Sequence, residues 1–388
     1  MYALMWCVHF FHPKAKKWIL GRKTVIPSLS KDKVVYWFHC ASLGEFDQGL
    51  PIMNKLKEKN PSIFLVVTFF SPSGMDNFHK RDHKADLVLY LPLDTKSKAQ
   101  NFIDRIHPEK VFFVKYEFWY NHLKAARRSG AKIYGVSSLF RPSHRFFKWY
   151  GGFFRKALAL FDHFFCQDQR SLDLLKSIGI SQASVTGDSR YDRMLAVKEK
   201  NEPNIKIESF IGQEKVLLLG SSWPVEEELF KEAITSIQNE WKIIIAPHDI
   251  SENHIQSIER LYTNLTTRYT QEIDVNKSIL IVDTIGQLTS AYRYATVAYV
   301  GGGFTGKLHN ILEPGAFGVP VLIGPKHERF PEAELFLSRK CASIVTNAEI
   351  FKSQLAIMFL EKEIISKELS AIFNENSGTA TKICASID

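Results

Sequence analysis

The chain has 388 residues, 45% of them hydrophobic and 23% charged, a profile that excludes a disordered polypeptide and a length that exceeds one ordinary core, so two domains are expected. Its formal net charge of +9 favours an anionic partner, whether phosphorylated ligand, anionic lipid surface or nucleic acid, and does not choose among them. The five cysteines, Cys7, Cys40, Cys166, Cys341 and Cys384, are scattered and never form a CxxC pair, which argues against a disulfide framework and a zinc site.

The first 11 residues are apolar and aromatic, about half the length that spans a bilayer. Lys14, Lys16, Lys17, Arg22 and Lys23 follow. A signal peptide would carry its charges ahead of the apolar stretch, so two readings stand: a peripheral membrane contact or the stub of a longer anchor, and a first helix packed on the body. Apolar runs then alternate with amphipathic stretches, the pattern of βαβ units around parallel sheets. The first half predicts strands at 34–38, 63–69, 87–91, 111–114, 132–136, 163–166 and 184–186, with helices such as 46–59 and 96–106 between them. The polar stretch 198–214 reads as an interdomain linker. The pattern restarts with strands at 216–219, 242–246, 279–282, 297–300 and 319–323 and a helix over 224–238, capped by Ser222 with Pro224 in its first turn. Two doubly wound units place a ligand site among the loops that follow strands, in a cleft where the domains face each other.

Three such loops carry candidate chemistry. After the first strand, Ser42-Leu43-Gly44-Glu45 puts a carboxylate in the first turn of a helix, where it either complements the helix dipole or accepts a proton from an attacking hydroxyl. In the second half, Gly301, Gly302 and Gly303 follow a buried strand and permit close approach of backbone to a ligand, and their N–H groups, helped by Arg190, are expected to receive a phosphate. Asn310 and Glu313 lie three apart on one helical face, as a cap or as partners for ribose hydroxyls. His248 in Ala246-Pro247-His248-Asp249 follows another strand, and Ser221 and Arg190 sit in loops near the presumed linker. There is no GxGxxG or P-loop, no metal-ligand spacing and no RNA-binding aromatic motif, so kinases, metal centres and nucleic-acid binders lose their main support.

The segments HCASLGEFDQGLPIMNKL, TFFSPSG, LYLPLD, VKYEFWYNHL, VTGDSRYD, GSSWPVEEE, VDTIGQL, YVGGGF and HNILEPGAFGVPVLIGP occur in an order that resembles the 3-deoxy-D-manno-octulosonic acid (Kdo) transferases of lipopolysaccharide synthesis, from about residue 13 to about residue 336. The resemblance implies a GT-B fold: two Rossmann-like α/β domains across a cleft, an acceptor domain over 1–200 and a donor domain over 201–388, with the last helix packing back on the first. It implies inverting transfer of Kdo from CMP-Kdo to the lipid A precursor lipid IVA, without metal or other cofactor. The expected place is the cytoplasmic face of the inner membrane of a Gram-negative bacterium, peripheral or N-terminally anchored. By residue, it implies Glu45 as general base and Ser42, Gly44, Ser73 and Glu117 on the acceptor side. The donor side comprises Arg190, Ser221, His248, Gly301, Gly302, Gly303, Asn310 and Glu313. The sequence departs from the family where His248 and Asp249 replace Arg and His, where Arg190 replaces Lys, and where Lys115 and Tyr120 flank the retained Glu117. A GT-B transferase using a UDP-sugar and a non-catalytic nucleotide-sugar binder are the alternatives. For a membrane surface the expected contacts are the N-terminal stretch, its cations, and the aromatic, basic segment 141–155.

Overall fold

A computed structural model of the chain describes residues 13–22, 25–200 and 202–387. Residues 1–11, Lys23 and the side chain of Lys14, all expected membrane contacts, lie outside that description. The chain forms two units, one of residues 1–193 and 376–388, the other of residues 194–375. The helix Thr379–Ser386 therefore belongs to the first unit, where Ile383, Cys384 and Ile387 join its core.

The first unit is built on β1 (Val35–Cys40), β2 (Phe64–Phe69), β3 (Leu87–Tyr90), β4 (Pro108–Val114), β5 (Lys132–Ser138), β6 (His163–Cys166) and β7 (Ala183–Val185). All pair in parallel, in the order β3-β2-β1-β4-β5-β6-β7. Helices cover both faces, which is why β1 is buried at every position and reads as a continuous apolar run instead of an alternation. Trp37, Val66 and Phe113 fill the core on one face, Phe38, Val67 and Phe112 on the other. The order reverses between β1 and β4, and the loops at the carboxyl ends of these two strands are where a doubly wound sheet opens for a ligand.

The second unit repeats the plan with β8 (Lys215–Ser222), β9 (Trp241–Pro247), β10 (Thr266–Arg268), β11 (Ile279–Ile281), β12 (Val297–Val300), β13 (Val321–Ile323) and β14 (Ala342–Ile344), in the order β10-β11-β9-β8-β12-β13-β14. Its reversal lies between β8 and β12. Strands β10 and β14 escaped the sequence reading because each has three residues and occupies a sheet edge, where no long apolar run is required.

Two further expectations are corrected. Residues 198–214 are not a linker: the helix Ser189–Glu199 runs into them, and a second helix, Ile205–Ile211, is capped by the Asn204 side chain accepting from Ile207 N. Ile207, Phe210 and Ile211 follow helical spacing and are buried in the second core, a signal hidden by the polar residues around them. The helix expected over 224–238 is two, Pro224–Leu229 and Lys231–Ile237. They meet at Phe230, whose ring turns inward against Tyr299 (5.0 Å) and Phe351 (4.3 Å).

Candidate active site

In the first unit the loops after β1 and β4 bring Glu45 and Glu117 to the two sides of the reversal point. Ser42 takes an extended N-cap conformation (φ −142°, ψ 175°) ahead of the helix Leu43–Lys59, which places Glu45 at the third helical position. Its Oε2 accepts from Ser42 N at 2.7 Å and from Ser42 Oγ at 3.0 Å, the reciprocal bond of a capping box. The side chain is only 8% exposed, and among the described residues no donor is bonded to Oε1. One oxygen thus fixes the carboxylate while the other remains to take a proton. The sequence set a dipole complement against a proton acceptor; the bonds to Ser42 occupy one oxygen and leave the other open, so a first-turn structural role and a base are compatible.

Glu117 lies in the irregular segment after β4, with its Oε2 buried and unbonded. Burial, and then the charge of Glu45, raise its pKa to about 7. Glu117 thereby holds its proton near neutrality. The segment is anchored next door by Trp119, whose indole Nε1–H donates to His39 Nε2 at 3.0 Å. Since indole can only donate, His39 must carry its proton on Nδ1, which lies 3.0 Å from Thr68 Oγ1. Burial holds the His39 pKa down to about 3, so this strut is a neutral imidazole across the whole physiological range. Neither His39 nor Trp119 was singled out in the sequence, because their roles depend on the side-by-side placement of β1 and β4.

The other first-unit candidates are less directly placed. Gly44 faces open space, so it has no steric need to be glycine. Ser73 is exposed in the first turn of Pro72–Asn77, with its hydroxyl 3.0 Å from Ser71 Oγ. Arg190 belongs to this unit, and its guanidinium is held by Asp188 Oδ2 through Nε at 2.8 Å and a terminal nitrogen at 2.7 Å. A phosphate would have to compete with that carboxylate. Arg22, expected as a membrane cation, is turned inward instead. It donates to the carbonyls of Trp18, Phe70 and Leu91 and lies 3.8 Å from the Trp18 ring, and burial lowers its pKa to about 10.

In the second unit the loops after β8, β9 and β12 converge. Here one expectation fails for a clear reason. The amides of Gly301 and Gly302 are not available to a phosphate: Gly301 N donates to Gly220 O at 2.9 Å and Gly302 N to Glu226 Oε1 at 2.7 Å. The glycines serve chain-to-chain packing. Gly302 has φ +92°, and a Cβ there would run into the carbonyl of Lys307, while one on Gly303 would come within 2.5 Å of Gly324 N. Glu226 is fully buried, and its Oε2 accepts from Trp223 N at 3.0 Å, so a single carboxylate ties the β8 loop to the glycine loop. Burial raises its pKa, while the bonds from Gly302 and Trp223 oppose the rise. Ser221, at φ +54°, is the strained residue beside this crossing, and its carbonyl occupies the space that a Gly301 Cβ would need.

The groups around that scaffold are Trp223, His248, His309 and Lys307. The Trp223 ring stacks on His248 at 4.5 Å and 11°, His248 is 4.8 Å from His309, and Lys307 Nζ lies 5.3 Å from the Trp223 ring. Burial, and then the charge of His248, hold His309 down to about 4. Asn310 and Glu313 are brought together as expected, Asn310 Nδ2 donating to Glu313 Oε1 at 3.3 Å and Thr289 Oγ1 to Oε2 at 3.2 Å. Among the described residues no three His, Cys, Asp or Glu side chains converge as a metal site would need.

Residues 17–193 match the family model described as 3-Deoxy-D-manno-octulosonic-acid transferase (kdotransferase). The chain is 27% identical to the 3-deoxy-D-manno-octulosonic acid transferase of Chlamydia trachomatis serovar D over 330 residues, which cover 81% of this chain and 76% of that one. With the Aquifex aeolicus protein of the same name it shares 24% identity over 88% of its own length and 91% of the relative's. In fold it is similar to UDP-GlcNAc 2-epimerase from Neisseria meningitidis in a crystal structure bound to UDP-GlcNAc, with a TM-score of 0.66 at 16% identity, covering 91% of this chain and 98% of that one. Two parallel seven-stranded sheets with alternating helices are the GT-B architecture that the motifs implied. The nine ordered motifs, the family match over residues 17–193 and relatives spanning both units together support a Kdo transferase, a glycosyltransferase enzyme.

Proposed function

We propose that the chain transfers Kdo from CMP-Kdo to a sugar hydroxyl of a lipid A precursor, by a single in-line displacement that inverts the anomeric carbon. The observation that carries this reading is Glu45, anchored through Oε2 and open at Oε1, beside a second carboxylate that keeps its proton near neutral pH. As the acceptor hydroxyl attacks, Oε1 takes its proton while the glycosidic bond to the CMP phosphate breaks, and the bonding pair leaves with the phosphate oxygen. Glu117 in its protonated form donates a hydrogen bond to the acceptor and adds no competing negative charge. In the second unit Asn310 and Glu313 hold the cytidine ribose, and Lys307 and His248 meet the phosphate, taking the part first expected of the Gly301 and Gly302 amides. Lys307 carries the charge that an imidazole supplies only in part. No metal is needed in this scheme.

Because the acceptor is an anionic amphiphile, the enzyme is proposed to work at the cytoplasmic face of the inner membrane. Support comes from segment 141–160, which has five cations (Arg141, Arg145, Lys148, Arg155, Lys156) and no carboxylate. Trp149 is 92% exposed there and Phe153 60%. Among the described residues no helix is long and apolar enough to cross a membrane. The test is incubation with CTP, Kdo, a CMP-Kdo synthetase and tetraacylated lipid A precursor, followed by mass analysis of the lipid. A mass increase of one or more Kdo units is expected. An unchanged lipid, with CMP binding intact, removes the proposed acceptor.

A further inference from the structure

The segment after β4 has a second side. Residues 117–119 form no regular element, and the side chains of 116–120 divide by what they contact. Glu117 and Trp119 belong with Glu45 and His39, as described above. Tyr116, Phe118 and Tyr120 instead line a cavity of about 530 Å³ within the first unit, with Phe146, Phe153 and Phe154 opposite. Phe118 and Phe146 (5.7 Å between ring centres) and Tyr120 are packed against the core, whereas Phe153, 5.5 Å from Tyr120, is exposed. Arg145 also lines the cavity, with its guanidinium 5.6 Å from the Phe154 ring. The carboxylate in the wall, Asp94, is occupied by bonds from Asn121 N, His122 N and the His122 ring.

We infer that this cavity takes one acyl chain of an anionic amphiphile, with the chain among the six rings and its charged head on the Arg145 side. Three observations select that occupant. Six of the lining side chains are Phe or Tyr rings. The volume suits a chain of roughly a dozen carbons or more, since a methylene needs about the room of a water molecule, roughly 30 Å³. The mouth lies in a stretch of the chain with five cations and no acid, which fits a phosphate or carboxylate head and not a neutral one. The inference rests on the proposed acceptor: a chain held on one side of the 116–120 segment would bring the attached sugar to the carboxylates on the other.

The test uses the full-length protein and alkyl phosphates of six, eight, ten and twelve carbons, each below its micellar concentration, titrated calorimetrically without donor. One site is expected, with affinity rising about fourfold per added methylene. Phe153→Asp, which places a charge on an exposed wall position, and Ser143→Trp, which blocks the mouth, should each weaken binding at least tenfold with unchanged circular dichroism. Trp149→Ser, outside the lining, should leave it unchanged. Affinity independent of chain length, or unaltered in both cavity variants, overturns the proposal. Binding only to intact anionic vesicles also overturns it, since the patch would then be a landing surface. Alkyl phosphate binding in a protein that transfers no Kdo leaves the cavity standing and removes the acceptor reading, whereas transfer without such binding does the reverse.

Discussion

The structural bond of Glu45 and its proposed role as a base can be separated by a single substitution. Its Oε2 closes the capping box through bonds of 2.7 and 3.0 Å to Ser42, and its Oε1 is the proposed proton acceptor. Glu45→Ala removes both. Losing the cap should cost about 0.5–2 kcal/mol, and for a unit of this size each kcal/mol lowers the melting temperature by roughly 2–4 °C, so a fall of about 1–8 °C is expected. Glu45→Gln keeps an amide oxygen where Oε2 stands and should melt close to wild type, yet it has no basic oxygen. Its transfer rate should fall by about 10²–10⁴-fold, the usual contribution of a positioned base. Thermal melts and mass-based transfer assays on the same preparations decide the matter. A Gln variant with more than about a tenth of wild-type activity would show that Glu45 is a cap and nothing else. A Gln variant as unstable as the Ala variant would refute the capping assignment.

Glu117 retains its proton in the folded state to about pH 7, while in the unfolded chain it releases it near 4.5. The folded state therefore binds more protons across that window, and this group makes stability fall as pH rises from about 4.5 to 7, with no further loss above. Glu117→Gln should remove that slope, so its melting-temperature advantage over wild type grows through the window and then levels; a pH-independent difference refutes the shift. Gly302→Ala, at φ +92° and against the Lys307 carbonyl, should destabilise the second unit by about 2–5 kcal/mol in urea unfolding, whereas Gly44→Ala, facing open space on a helix, should be neutral or stabilise by up to about 1 kcal/mol. Glu313→Ala should raise the donor KM roughly tenfold to a hundredfold, through loss of a charged hydrogen bond to the ribose; lost acceptor binding with an unchanged donor KM would place the nucleotide elsewhere. Replacing exposed Trp149, Tyr150 and Phe153 with Ser should reduce binding to anionic vesicles at high salt, where the cations are screened, and leave the circular dichroism unchanged. The same change at Phe146 and Phe147, which pack on the core and were grouped with the exposed rings in the sequence reading, should unfold the protein instead.

Long buried strands announced themselves by composition, because a strand covered on both faces must be apolar throughout; β1, β4 and β9 were legible for that reason. The motif order was legible too, and with it the resemblance to Kdo transferases and Glu45 as a candidate base. Periodicity failed where context outweighed it, as in the buried helix Ile205–Ile211 inside a polar stretch and the three-residue edge strands. What only the tertiary structure decided concerns partners distant in sequence. Glycines 301 and 302 look like a phosphate cradle until Gly220 and Glu226 are seen to take their amides. The resemblance placed Glu117 on the acceptor side, but its raised pKa depends on burial and on the strand order that sets it near Glu45. The sequence by itself determined which backbone would be buried and which family motifs the chain carries. Hydrogen-bond satisfaction, charge proximity and the two-sidedness of the 116–120 segment depend on neighbours that only the paired strands bring together.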